Sequence, residues 1–461
     1  MMIPDLSEAR RIHLVGAGGA GMGAIADVLH RMGHTVTGSD LKDGPVVERL
    51  RVAGMEIHVG HDAANLGSAD LVAISTAIPE RNPEVRAANE RQIPVLRRSD
   101  ILPAISAERR SIVVAGTHGK TTTSSMLAMA MVEADLDPSF IIGGDVNEIG
   151  SGAVWADGEW FIIEGDESDR TFLSLGAEIA IVTNVEPDHL ETYENDPEQL
   201  MAAFVEFVEA ATTRIYCADD PGAMQLARAV PGITYGTAEH ADYRMVDIET
   251  GRASVTFTIR HDGTEVARVQ LPTPGMHNAR NATAALVAAI TAGGSAAAAA
   301  SALARFGGVA RRFEFRGEID GVTFVDDYAH LPTEVEAALA AAADGGWERI
   351  VCVFQPHRYS RTAALWQDFA NGFGRADVLL VTDIYPSGET PRPGITGKLI
   401  VDAVLEAHPW SNVGWMPRLD DAAGWLAHRL RPGDLCLTLG AGDLTGLPDQ
   451  VIGRLENRGA T

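Results

Sequence analysis

Two short apolar runs in this chain, RIHLV at 11–15 and SIVVAG at 111–116, each end in glycines and lead directly into a helical pattern. Strand, glycine turn, helix is the opening of a parallel α/β unit. In the first, Gly16, Gly18 and Gly21 spell G-x-G-x-x-G, with Gly19 between them. Asp40 follows about 20 residues later, where a dinucleotide fold keeps its ribose-binding acid. Read alone, this stretch describes an NAD enzyme.

The alternation continues. A helix is expected over 20–32 and strands over 34–40, 70–76 and 93–98, closing a first unit near residue 106. The second opens at 111 and adds WFIIEGDES, AEIAIVTNVEPDH, RIYCADD and GITYG; residues 242–271 alternate and suggest a small antiparallel excursion. Helices are expected from His277 to Phe306. From about Gly317, GVTFVDDYAH, RIVCVFQPH, ADVLLVTDIYP and GDLCLTLGAG read as another parallel sheet. A chain of 461 residues has room for two to four domains. Three α/β domains in series are expected, over 1–106, 107–316 and 317–461.

Composition removes several classes. With 46% hydrophobic and 22% charged residues the chain is an ordinary globular one. A net charge of −26 argues against nucleic-acid binding through a basic surface. Cys217, Cys352 and Cys436 form neither a C-x-x-C site nor a disulfide framework and read as buried thiols. The N-terminus MMIPDLSEARR has no apolar core of a signal peptide, and no run approaches a membrane span. A cytoplasmic protein is expected, as a monomer or weak homodimer.

The second glycine turn carries the chemistry. Gly116-Thr117-His118-Gly119-Lys120-Thr121 is a shortened phosphate loop; Val114 stands where the strict pattern has its first glycine. Glycines let backbone N–H groups face a phosphate, and the helix N-terminus adds about half a positive charge. Lys120 can reach the β/γ-phosphates of ATP and the Thr121 hydroxyl can bind Mg2+. Glu164, Asp166, Glu167 and Asp169 follow the strand WFII, and Glu164, the first of them, is the candidate ligand. His189, among acids after AIVT, suits a metal or a substrate. Asn278 and Asn281 share a helix face and can hold adenine, ribose or a turn. Arg312 can reach a nucleotide, and Asp327 a ribose. His357-Arg358-Tyr359-Ser360-Arg361 offers two guanidinium groups, which suit carboxylate or phosphate.

Taken together, GAGGAGMG, GSD at 38–40, GHDAANL, ISTAIP, AGTHGKTTT, EGDESDRTF, TNVEPDHLETY, PGMHNARNATAAL, RRFEFRGE, VDDYAHLPTEV, FQPHRYSRT, DIYPSGE and GAGDLTG make the chain resemble, end to end, the Mur ligase family of bacterial peptidoglycan synthesis. The resemblance implies an N-terminal Rossmann-like domain for a UDP-sugar, a central ATPase domain and a C-terminal Rossmann-like domain. It implies ATP- and Mg2+-dependent amide formation through an acyl phosphate. Within the family, it implies L-alanine as the amine and UDP-N-acetylmuramate as the acid.

By the same resemblance Lys120 and the loop with Thr117, His118 and Thr122 hold ATP, and Thr121 and Glu164 bind Mg2+. His189 serves a second metal or the reacting carboxylate. Asn278, Asn281, Arg312 and Asp327 fix base and ribose. Tyr328, His330, Arg358 and Arg361 face the amino acid or the acyl phosphate. The glycines at 16–21 with Ser39, Asp40, His61 and Ser75 hold the UDP-sugar.

Two features depart from the family's pattern. Leu331 stands where many relatives have a second histidine, and TPRPGITG after Glu389 is short. No lysine follows Lys120 in the second unit, so the modified lysine of sister ligases has no counterpart; His189 is expected in its place. A ligase for a recycled murein tripeptide, an NAD-dependent dehydrogenase and a non-catalytic nucleotide-gated binding protein remain as other readings.

Overall fold

The computed structural model describes residues 5–75, 77–146 and 151–459. Residues 1–4 of the N-terminus read above, and Thr76 of the expected strand 70–76, lie outside them. Three sheets follow one another along the chain. The first contains β1 (Arg11–Val15), β2 (Thr35–Asp40), β3 (Glu56–Val59), β4 (Leu71–Ile74) and β5 (Val95–Arg97), all parallel, in the order β3-β2-β1-β4-β5. The order reverses between β1 and β4, and at such a switch point the loops part to leave a crevice.

The second sheet has ten strands: β6 (Arg110–Ala115), β7 (Ser139–Val146), β8 (Ser151–Val154), β9 (Trp160–Glu164), β10 (Ala177–Val182), β11 (Thr213–Cys217), β12 (Ile233–Gly236), β13 (Tyr243–Thr250), β14 (Val255–His261) and β15 (Thr264–Leu271). Their order is β15-β14-β13-β12-β11-β10-β6-β9-β7-β8. The centre is read easily from sequence because β6, β9 and β10 are nearly continuous apolar runs, as strands covered on both faces require. The alternating segment 242–271 extends this sheet, with β13 parallel to β12. The pair β7–β8 is antiparallel and was not legible, because the Gly143–Gly144 step inside β7 reads as a turn.

The third sheet contains β16 (Glu314–Ile319), β17 (Val322–Asp327), β18 (Arg349–Phe354), β19 (Val378–Val381), β20 (Val413–Trp415) and β21 (Asp434–Leu439), in the order β16-β17-β21-β18-β19-β20. It is mixed rather than purely parallel, since β16 pairs antiparallel to β17 with an irregularity between Phe315 and Gly317. That edge strand, EFRGEI, has no apolar run to reveal it and crosses position 316/317. One apolar layer holds Cys352 and Phe354 and the other Val353 and Cys436; all three cysteines are buried and free. By its contacts the chain divides into two compact units. Met1–Val246, Thr258–Val269 and Arg280–Arg305 form one; Asp247–Phe257, Gln270–Ala279 and Phe306–Thr461 form the other. Among the described residues no helix is long and apolar enough to cross a membrane.

Candidate active site

In the first unit, β10, β6 and β9 lie side by side and parallel, so their carboxyl ends share one rim. The loop after β6 turns through Gly116 at φ +131° and Gly119 at φ +81°, values that L side chains rarely adopt. Gly119 then starts the helix Lys120–Glu133 with no side-chain cap, which leaves the N-terminal amides for an anion. The loop is held from β10's side. His118 N donates to Asn184 Oδ1 (2.8 Å), and His118 O accepts from Thr183 Oγ1 (2.6 Å) and Asn184 Nδ2 (3.1 Å). Glu186 N donates to Thr117 Oγ1 (2.9 Å). Asn281 is buried against Gly119, where a Cβ would come within 2.7 Å of its Oδ1. Thr122 is buried in the first helical turn.

Two carboxylates from the β9 end divide the work. Glu164 Oε2 accepts from Thr121 Oγ1 (3.2 Å) and Oε1 from Gly143 N (2.6 Å). Glu167 accepts from Lys120 Nζ on both oxygens (3.0 and 2.8 Å), and Nζ also donates to Gly116 O (2.5 Å) and Thr117 O (3.2 Å). A hydroxyl and a carboxylate this close are hard oxygen ligands of the kind Mg2+ uses beside phosphate oxygens and water. His189 starts the turn Leu190–Tyr193 at φ +52°, with Nε2 3.4 Å from Asp188 Oδ2 and Nδ1 3.9 Å from Glu191 Oε1.

In the first sheet, the turn after β1 begins at Gly16 (φ +84°), and Ser75 after β4 packs where a Gly16 Cβ would lie, at 3.1 Å. Gly19 precedes the helix Ala20–Arg31, and Gly21 is exposed in its first turn. Asp40 Oδ2 accepts from Gly18 N (2.8 Å). Ser39 and His61 face inward on the buried Glu84: Ser39 Oγ donates to Oε2 (2.6 Å), His61 Nδ1 is 3.1 Å from Oε2, and Asn65 Nδ2 donates to Oε1 (2.6 Å). Burial pushes the Glu84 carboxyl up, but His13, Ser39 and Asn65 overcome this and hold it down to about 2. A depressed carboxylate contributes stability present above its unfolded value and lost as pH falls toward the folded one. Glu84→Gln is therefore expected to cost about 3 kcal/mol at neutral pH. Urea midpoints of the two proteins should converge as pH falls from 4.5 toward about 2.

In the second unit, β17 ends in two buried aspartates. Asp326 accepts from Thr438 Oγ1 (2.6 Å), Thr445 Oγ1 (2.8 Å) and Arg311 Nε (3.3 Å). Asp327 accepts from Phe313 N and Ala329 N, each at 2.7 Å; burial pushes its carboxyl up to about 6 against Arg312 and these amides. Tyr328 lies beneath Arg311 and Arg312, with guanidinium carbons 5.0 and 5.1 Å from its ring centre. His330 meets Tyr328 and His357 edge-on, both at 5.4 Å. His330 Nδ1 is 3.0 Å from Tyr328 O, and burial pushes the imidazole below its ordinary value. His357 stacks on Tyr385 (5.8 Å, 12°), and its Nδ1 accepts from Arg361 Nη1 (3.1 Å). Burial, then His330 and Arg361, push His357 down to about 4. Arg358, at φ +68°, precedes the helix Tyr359–Leu365, and its buried Nε has no hydrogen-bond partner among the described residues. Asn278 Nδ2 donates to Pro274 O (2.7 Å).

Three family models match in succession: the Mur ligase catalytic domain over residues 11–110, the Mur ligase middle domain over 114–289 and the Mur ligase glutamate ligase domain over 311–442. The chain belongs to the Mur ligase family. A protein named UDP-N-acetylmuramate–L-alanine ligase from Saccharopolyspora erythraea is 46% identical, over 98% of this chain and 94% of its own. One of the same name from Kineococcus radiotolerans is 45% identical, over 99% and 98%. Among solved structures, the UDP-N-acetylmuramate-alanine ligase of Thermotoga maritima superposes with a TM-score of 0.81 at 28% identity, covering 97% of this chain and all of that one.

In this Mur ligase the structure brings Lys120 and Thr121, at the start of a helix, beside Glu164 at the end of β9, and sets His330 between Tyr328 and His357, with Arg361 on His357. Other expected residues are placed differently. His189 has Asp188 and Glu191 beside it, and among the described residues no three His, Cys, Asp or Glu side chains form a metal-holding group. Ser39 and His61 turn to Glu84 because a buried carboxylate needs donors, and Asp40 takes the Gly18 amide expected to face a pyrophosphate. Asn278 secures the turn before its own helix, and Asp327 holds two backbone amides. Thr183, Asn184, Glu84 and Tyr385 were given no role by sequence, and Glu167 only a place in the acidic cluster after WFII. EGDES marked an acid at 167 but could not say which acid faces the lysine.

Proposed function

We propose that this Mur ligase joins L-alanine to the lactyl carboxylate of UDP-N-acetylmuramate with ATP and Mg2+, giving ADP and phosphate. The observation that carries the ligase reading is the convergence of the glycine loop, Lys120 and the Thr121–Glu164 pair at the ends of β6 and β9. The choice of alanine rests on the name shared by the relatives above. Thr121 and Glu164 would hold Mg2+, which when bound lowers the repulsion between a carboxylate and the γ-phosphate. Gly116 to Thr122 would cradle the phosphates. A lactyl carboxylate oxygen forms a bond to the γ-phosphorus as the bond to the β-phosphate oxygen breaks, and Lys120 offsets the charge gathered there. Alanine's amine then attacks the acyl carbon, and inorganic phosphate leaves.

Taken by themselves, the second unit's residues suit an amino acid. Burial disfavours the charged form of His330, and assigning its Nδ1 proton to Tyr328 O leaves Nε2 as an acceptor for the ammonium proton. Arg361, oriented by neutral His357, together with Arg358 would hold the amino acid's carboxylate. Asn281 would steady the loop at Gly119, while Arg312 and Tyr328 would receive the nucleoside or the amino acid. Gly16, Gly18, Gly19 and Gly21 with Ser75 would line the UDP site. We place the enzyme in the cytoplasm, which its three free, buried cysteines fit. The test is phosphate release with ATP, Mg2+ and UDP-N-acetylmuramate against each amino acid and against the murein tripeptide. L-alanine should give the highest kcat/KM. Release with the tripeptide but not with L-alanine assigns the recycling reaction instead, and a nicotinamide absorbance change in place of phosphate release overturns the ligase reading.

A further inference from the structure

The acid at 167 stands outside the chemistry described so far. Its side chain is only 4% exposed, it lies three residues beyond Glu164, and both its oxygens bond the Lys120 ammonium. A buried carboxylate is tolerable only with such a partner. The same ammonium is the group a nucleotide phosphate would claim, and Lys120 cannot give full contacts to both. We propose that Glu167 is a positioning residue that holds Lys120 over the loop until nucleotide phosphate displaces it, and that Glu167 then takes a proton from solvent. The inference rests on the reading of residues 116–121 as an ATP loop.

The surroundings favour protonation once Lys120 turns away. Burial pushes the Glu167 carboxyl above its ordinary value even with Lys120 beside it. The neighbouring Asp166 adds negative charge and has its own cation, Arg98, at 3.8 Å. From the turn Leu190–Tyr193, the Tyr193 hydroxyl donates to Glu167's backbone oxygen (2.6 Å) rather than to its carboxylate. Arg170 lies over the Tyr193 ring at 5.5 Å, and Asp169 faces the same tyrosine. An arriving polyphosphate raises the local negative charge further. Nucleotide binding and proton uptake are then linked, and each favours the other.

The test is calorimetric titration of the full chain with the β,γ-imido analogue of ATP and Mg2+ at pH 7.5, in buffers of different ionisation enthalpy. In wild type the observed enthalpy should vary with buffer enthalpy with the slope of proton uptake. In Glu167→Gln that slope should fall toward zero while the analogue binds about 3–10-fold more tightly, because a neutral amide competes less for the ammonium. A residue that merely shapes the loop would weaken binding on substitution. Analogue binding without proton uptake in wild type, or an unchanged slope in Glu167→Gln, overturns the proposal and leaves the ATP loop standing. Failure of wild type to bind the analogue overturns the ATP loop itself. Thermal melting of Glu167→Gln reports its folding; the wild-type slope decides the question if that variant is unfolded.

Discussion

Lys120→Met is expected to lower ATP-dependent phosphate release by about a thousand-fold or more, because it removes a positioned charge that acts where negative charge gathers. The same substitution should destabilise the fold. Glu167 loses both hydrogen bonds from Nζ while remaining buried, and stranding one member of a buried pair costs about 3–5 kcal/mol. That cost is limited by protonation of Glu167, so the variant should be closest to wild type in acid and fall away as pH rises. The two losses separate in a double variant. Lys120→Met with Glu167→Gln leaves no uncompensated charge, so its urea midpoint should return most of the way to wild type while turnover stays lost. If the double variant recovers activity along with stability, Lys120 acts only through folding. Single-turnover phosphate release measured beside equilibrium unfolding distinguishes these outcomes.

The asymmetry between what could and could not be read from sequence follows from how each residue acts. Gly116, Gly119 and Lys120 announce themselves because the constraint is local: a strand must turn sharply, with positive φ, and present a lysine on the next helix. The apolar runs of β1, β6, β10 and β21 are equally legible, because a strand covered on both faces leaves no room for polar alternation. Asn184 and Thr183 are silent in sequence because they act through His118's backbone across 65 or 66 positions of chain. Glu164 and Glu167 are acids three residues apart whose roles are set by which partner each meets, Thr121 and Gly143 for the one and Lys120 for the other. Ser39 and His61 look like ligand contacts along the chain, yet Glu84, in a helix 45 residues after Ser39, draws both into its buried network. Edge elements such as β16 were missed for the opposite reason: half-exposed strands need no continuous apolar signature.

Gly116→Ala is expected to cost about 2–4 kcal/mol of stability and about a hundred-fold in ATP affinity. Its φ of +131° lies outside what alanine adopts without strain. The added Cβ would sit 2.2 Å from Thr183 Oγ1 and 2.8 Å from Asn184 O. Trimming Thr183 would relieve the first contact but not the second, which is backbone, so the loop itself has to move and takes His118 and Lys120 with it. Gly21→Ala is the informative contrast. Gly21 has no positive φ, and its added Cβ would meet nothing closer than Arg98 Nε at 3.7 Å, an ordinary contact. Its position in the first turn of a helix favours alanine by up to about 1 kcal/mol. The fold gives no reason for a glycine there; close approach of a ligand does. Gly21→Ala should therefore leave the melting temperature unchanged or slightly raised while KM for the UDP-sugar rises about ten-fold or more and KM for ATP stays put. An unchanged KM for the UDP-sugar would remove Gly21 from the sugar-nucleotide site, and a rise in KM for ATP would assign the first glycine loop to the wrong nucleotide.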